Sequence, residues 1–286
     1  MAQKWIEIIS LRNIKIFYRL LIMFIFASLL PIMIYGILSY NKSSEVITEG
    51  ISQSLESMLI QIGSTIGEKI EKVRTDSIEI SYMDEIQDIL MNYDAYTDRM
   101  KNATKEIITE RMSTKYVFDN IVSEITLYTL SGDAVNVYGT DAFRLNLAPE
   151  YLRRFLEECR EGNGRVILKA MNENYEQRIA SGVQLKRESL VLGKAIKKKI
   201  EGSIIGYMQM TIEEEKIRSI YRELSENLSA DMFILDRNNI VISSVNESVR
   251  VGEPFTDTQI LDRLGEDRYL LRSANGVKMV YNKPIG

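Results

Sequence analysis

The stretch IVSEITLYTLSGDAVNVYG, residues 121–139, decides how the chain is read. Before it the apolar residues recur at helical spacing; within it they alternate, with Ser131-Gly132-Asp133 as a turn between two strands. Everything downstream continues in the same mixed style. PEYLRRFLEECREG (149–162) reads as a helix with Pro149 in its first turn and Gly162 at its end. RVILKA and RIASGVQL read as strands, and 189–199 with 202–212 as a hairpin across Glu201-Gly202. Residues 213–228 read as a helix whose leading glutamates suit the positive end of its dipole. A second strand–turn–strand follows at 231–244, then a helix at 257–266 and a hairpin at 267–286 turning at Asn275-Gly276. The fold class expected is α+β, with a five-stranded sheet and a smaller unit that opens the same way.

Upstream of residue 121 the pattern is helical. Leu20–Leu38 is a run of 19 residues without a charge, roughly 28 Å of helix, close to the thickness of a bilayer's hydrocarbon core. It is longer than a signal-peptide core and lacks a small-residue cleavage pattern. Pro31 inside the run suits a membrane helix, and Tyr35 and Tyr40 suit its outer interface. Lys4, Arg12, Lys15 and Arg19 precede the run against a single Glu7, so the N-terminus is expected in the cytoplasm and the rest outside. From Ser43 to Ser81, apolar residues at Val46 or Ile47, then Ile51, Leu55, Leu59, Ile62, Ile66, Ile70 and Val73, form one helical stripe. This reads as a long rod continuing the span, packing in a core and presenting part of the stripe to a second subunit. Residues 82–93 and 102–120 read as further helices with a polar turn at 94–99.

Composition narrows the function. The 286 residues carry a net charge of −4 without a basic tract, which argues against a nucleic-acid surface. There is no histidine, so imidazole acid–base chemistry, His-containing triads, imidazole metal sites and phosphohistidine are excluded for these residues. The single cysteine, Cys159, cannot form an intramolecular disulfide and reads as a small helix residue. Lys197, Lys198 and Lys199 read as a solvated hairpin tip.

KIFYRLLIMFIFASLLPIMIYGILSYNKSSEVI, with its LLP inside the span and Tyr40, Ser44 and Ile47 after it, resembles the start of bacterial sensor histidine kinases with double Cache extracytoplasmic domains. IVSEITLYTLSGDAVNVYG and MFILDRNNIVISS are similar to the openings of that family's two PAS-like modules. The resemblance implies a basic leader at 1–19, a span at 20–40, a helical region at 43–120, a membrane-distal module at 121–228 and a membrane-proximal module at 229–286. It implies a homodimeric receptor that binds a small molecule outside the cell and signals inwards. A second span, a HAMP linker and a kinase core, through which a response regulator would be reached, are expected in that family but absent from these residues. The second module therefore reads as incomplete and the chain as a fragment or truncated product. No enzymatic activity, cofactor or metal is implied for the residues given. A tethered binding protein, or the input of a chemoreceptor or cyclic-dinucleotide enzyme, are the alternatives.

The Arg-x-Trp-Tyr cluster of the amino-acid-binding variety is missing; the only tryptophan is Trp5. A carbohydrate is the ligand expected from related receptors. The fold implies a pocket between the first sheet and the loops over it, with Tyr128, Tyr138, Tyr175, Arg178 and Tyr207 as candidate lining residues. The same rings also suit core packing or an outer strand face. The topology has a direct check: protease added to intact cells should digest the part after Tyr40, and survival of the C-terminal part would contradict it.

Overall fold

The structure, a computed structural model, describes residues 15–116, 121–139, 145–147, 149–171, 175–177, 188–265, 268–273 and 276–281. In the strands 145–147, 175–177, 268–273 and 276–281 the backbone alone is described. The chain divides into two compact units, Met1–Leu59 and Ile60–Gly286.

In the first unit the described residues from Ile16 on are helix, the start of α1 (Ile16–Ser81). Pro31 lies inside it. Phe24, Phe26, Leu29, Ile32 and Leu38 are exposed, and by length and composition α1 can cross a membrane. The expected stripe divides. Val46, Ile47 and Ile51 are exposed, whereas Ile66, Val73 and Ile80, two helical turns apart, are fully buried.

In the second unit, α1 ends at Ser81 and is followed by α2 (Asp84–Asn92), a short 3₁₀ turn at Tyr93–Ala95 and α3 (Asp98–Tyr116). Helix α3 starts four residues earlier than its apolar spacing indicates, because Thr97 Oγ1 accepts the Met100 N–H at 3.4 Å. The expected end of this helix, residues 117–120, lies outside the described residues. The strands are β1 (Val122–Thr129), β2 (Ala134–Tyr138), β3 (Leu145–Leu147), β4 (Ile167–Met171), β5 (Tyr175–Gln177), β6 (Ser189–Lys197), β7 (Ile204–Glu213), β8 (Phe233–Leu235), β9 (Val241–Ser244), β10 (Arg268–Ser273) and β11 (Gly276–Tyr281). Between them lie α4 (Pro149–Glu161), α5 (Glu214–Leu228) and α6 (Thr258–Leu261).

Five strands form one antiparallel sheet in the order β2-β1-β7-β6-β4; β3–β5, β8–β9 and β10–β11 are separate pairs. The turns fall where glycine permits positive φ: Gly132 (93°) between β1 and β2, Gly202 (71°) between β6 and β7. The β3–β5 pair is unanticipated, and the strand expected at RIASGVQL lies outside the described residues. Helix α6 has four residues rather than the ten of its sequence pattern. Asp257 Oδ1 caps it by accepting from the Gln259 N–H at 3.0 Å, but no residue in it is buried, so nothing rewards its extension.

The sheet has a helical layer on one face and a second helix on the other. Ile125, Leu127, Leu190, Leu192, Met208, Met210 and Ile212 pack into one cluster with Ile66, Val73 and Ile80 of α1, Ile86 and Ile89 of α2, and Ile108 and Met112 of α3. On the opposite face Val191 and Met171 meet Phe155 and Cys159 of α4. Glycines allow both approaches. A Cβ on Gly193 would stand 2.5 Å from Phe155 Cζ and 2.6 Å from Cys159 Sγ, and one on Gly206 would stand 2.8 Å from Leu90 Cδ2.

The last turn of α1 is tied to the sheet. Gln87 Nε2 donates to Ser81 O at 2.7 Å and to Lys197 O at 3.0 Å, satisfying a terminal carbonyl of α1. Lys194 Nζ, buried, donates to Ser81 Oγ at 3.3 Å, and burial pushes its ammonium below the ordinary lysine range. At the β6–β7 tip Lys198 pairs with Glu201 at 2.7 Å and Lys199 pairs with Asp84 of α2.

Gly193→Ala should cost about 1–3 kcal/mol, because a methyl group there meets an aromatic ring already in place. Denaturant unfolding of the full chain in detergent measures it. Adding Phe155→Leu should recover part of the loss, and an unchanged midpoint for Gly193→Ala would contradict the packing of α4.

Candidate functional site

The face of the sheet turned towards α4 is apolar at one end and polar at the other. Three cross-strand rows define it. Asn136, Thr126, Gln209, Gly193 and Ile167 form one row across all five strands. Glu124, Thr211 and Val191 form the row on one side; Tyr128, Tyr207 and Ala195 form the row on the other. The β6 and β4 ends of these rows meet Phe155 and Cys159. On β2, β1 and β7 the same face carries Asn136, Glu124, Thr126, Tyr128, Gln209 and Thr211, none of them more than 5% exposed.

Such burial requires partners, since an unsatisfied buried polar group costs about 1–3 kcal/mol. Glu124 Oε1 accepts from Thr126 Oγ1 at 2.8 Å and from Asn136 Nδ2 at 3.0 Å. Tyr128 OH donates to Gln209 Oε1 at 2.9 Å, and Gln209 Nε2 donates to Thr211 Oγ1 at 3.2 Å. Ser123 Oγ donates to the Thr211 carbonyl at 3.0 Å. A bulge in β1 between Val122 and Glu124 accompanies this arrangement. Carboxylate, amides, hydroxyls and a phenol thus share one buried surface, with donors and acceptors of the kind a small hydrogen-bonding molecule would use. Among the described residues no cluster of His, Cys, Asp and Glu could hold a metal ion.

Of the five candidates, the fold brings two together: Tyr128 and Tyr207 are cross-strand neighbours on this face. Tyr207 lies at the border with the apolar half, packed against the Phe155 cluster, and desolvation raises its hydroxyl above the ordinary phenol range. Tyr138 is half-buried against the larger core on the helical side and does not join them. The backbone of Tyr175 lies in β5, while its side chain and all of Arg178 are outside the described residues. Glu124, Thr126, Asn136, Gln209 and Thr211 on the same face were not among the five candidates. Their alternation with apolar residues reads equally as a solvated strand face. What separates the two is the burial of the face, a tertiary fact that the strand pattern does not carry.

No protein-family model and no curated protein matches this chain. Solved structures do. The ligand-binding domain of Pseudomonas fluorescens chemoreceptor CtaA in complex with L-isoleucine is 12% identical, with 82% of this chain and 87% of that one covered and a TM-score of 0.50. The ligand-binding domain of Campylobacter jejuni chemoreceptor Tlp3 in complex with 4-methylisoleucine is 16% identical over 79% and 85%, with a TM-score of 0.48. The extracellular domain of vpHK1S-Z8, assigned to a histidine kinase, is 11% identical over 79% and 83%, with a TM-score of 0.49. The likeness to CtaA shows the fold: a long N-terminal helix with a PAS-like, Cache-type antiparallel sheet.

Cys159 lies under the sheet at the apolar end. Burial, with the nearby Glu158 carboxylate, pushes its thiol up to about 12. The folded chain at pH 8 should therefore react with iodoacetamide far more slowly than the chain in urea. Equal rates in the two states would show that α4 does not cover Gly193.

Proposed function

We propose that this chain is the membrane-anchored, extracytoplasmic ligand-sensing region of a signal-transduction receptor, with the polar face of its five-stranded sheet as the ligand site. The observation that carries the reading is the buried set Glu124, Thr126, Tyr128, Asn136, Gln209 and Thr211 on the face of a PAS-like sheet. Central strands covered on both faces ordinarily carry apolar side chains. Six polar ones in register are costly to a core and useful to a binding site, where a few fixed donors and acceptors set specificity. The apolar segment of α1 serves as the anchor, with a basic leader at 1–19 in the cytoplasm and the residues after 40 outside. The sensor comprises a helical region to 120, a first Cache module at 121–228 and a second from 229.

A ligand bound better by one arrangement of the sheet than by another shifts the population by that difference in affinity. The output read from the family resemblance is a histidine kinase of a two-component system. The likeness to the CtaA domain favours a second reading, the input of a chemoreceptor. Translating the gene beyond Gly286 separates them. The ligand class is a small, polar, hydrogen-bonding molecule; sugars and amino acids both fit that description.

Thermal-shift screening of the full chain in detergent against sugars, amino acids and small acids should yield stabilising compounds. Tyr128→Phe and Gln209→Leu should each weaken such a compound by about tenfold, the equivalent of 1.4 kcal/mol, in titration calorimetry. Arg111→Ala, which removes only an exposed pair with Glu85, should leave affinity unchanged. A ligand indifferent to both site substitutions would place the binding elsewhere.

A further inference from the structure

Helix α5 begins where β7 ends, and its first residue turns inwards. Glu214 is 1% exposed. Its backbone N–H donates to the Glu188 carbonyl at 3.1 Å, just before β6, so its main chain is tied to the five-stranded sheet. Its side chain reaches the β8–β9 pair. Oε1 accepts from Ser243 Oγ and from the Ser244 N–H at 3.3 Å. Two further residues of α5 reach the same point. Tyr221 OH shares a hydrogen bond of 2.6 Å with Ser243 Oγ, and Arg218 Nη1 donates to the Ser244 carbonyl at 3.4 Å. Ser243 and Ser244 are themselves buried.

The carboxylate is incompletely served. Oε2 lies 3.4 Å from Arg218 Nη2 but makes no hydrogen bond among the described residues. Arg218 is drawn instead to the exposed Glu215, which Arg222 also engages. A buried carboxylate with one unbonded oxygen is an expensive way to join two elements if joining is all it does. A neutral amide in its place would make the same bonds through Oε1.

We propose that the Glu214 carboxyl is a proton-sensitive tie between the five-stranded sheet and the β8–β9 pair. The groups that set its titration are few. Desolvation raises it above the ordinary carboxyl range, and the Glu188 carboxylate adds to that. The Ser243 hydroxyl, the Arg218 guanidinium and the Ser244 N–H act in the opposite direction. β9 presents only hydroxyls and backbone here; Glu215 and Arg222 flank the site on α5. Because the folded arrangement binds the proton more tightly than the unfolded chain, the stability it contributes is fullest below the ordinary carboxyl range. It is lost as pH rises through the raised value. The tie therefore tightens on acidification and loosens towards neutral pH. Apolar packing of Ile217, Tyr221 and Ile242 in the main core holds the elements together in both states.

Hydrogen–deuterium exchange of the full chain in lipid nanodiscs, at pH 5 and pH 8 and corrected for intrinsic rates, tests this. In the wild type, amides of 233–244 should be roughly three- to tenfold better protected at pH 5, with β6 and β7 unchanged. Glu214→Gln should show the acid level of protection at both pH values. Glu214→Ala should lose protection in 233–244 at both. The proposal is overturned if the wild type shows no pH difference there, or if Glu214→Gln keeps the wild-type difference. It is equally overturned if Glu214→Ala loosens β6 and β7 as much as β8–β9. If the alanine variant does not fold, the glutamine variant alone decides.

Discussion

From Met208 to Ile212 strand β7 is buried on both faces, and the bonding of the sheet follows from that constraint. Met208, Met210 and Ile212 point into the helical layer, while Gln209 and Thr211 point the other way and are just as deeply covered. A solvated strand could leave its polar residues to water; this one has to supply each with a partner inside the protein. Gln209 consequently bridges Tyr128 and Thr211, and Glu124 gathers Thr126 and Asn136. In a medium of low permittivity such bonds are stronger than in water, and they set the positions of the side chains that a ligand would meet.

The same demand governs the joints. The C-terminus of α1 brings unsatisfied carbonyls against the sheet, and Gln87 answers one of them while also holding the end of β6. Lys194 and Glu214 are the ionisable counterparts: each is buried, each is bonded mainly to neutral groups, and in each burial favours the uncharged form. Lys194 lies within β6 beside the end of α1, and Glu214 lies beyond its start, where the backbone of Glu188 meets α5.

Much of this was legible in advance. The alternation in 121–139 and 189–212 located the strands, and Gly132 and Gly202 marked the turns because only glycine enters positive φ without strain. The end of α1 at Ser81 and the limits of α4 and α5 followed from apolar spacing and end signals. What escaped was decided by tertiary contact. The start of α3 rests on a single hydroxyl, that of Thr97. The shortness of α6 reflects the lack of anything for it to bury against. The polar face of the sheet was not anticipated for the same reason: tyrosines stand out as binding residues, while threonine, asparagine and glutamine at alternate positions look like a wet face. Tyr128 and Tyr207 lie on that face, but the amides and hydroxyls between them hold most of its hydrogen bonds.

Gly193 lies directly across from Gln209, and the space its missing side chain vacates is filled by the Phe155 ring. Hydrocarbon therefore stands immediately beside the amide on which the polar rows converge. The ring acts as insulation. It shields that amide from the screening that water would impose, so the strength of the polar half's hydrogen bonds is partly set by a residue that forms none of them. At the ligand site proposed above, selectivity would then respond to the bulk at position 155, with every donor and acceptor left in place.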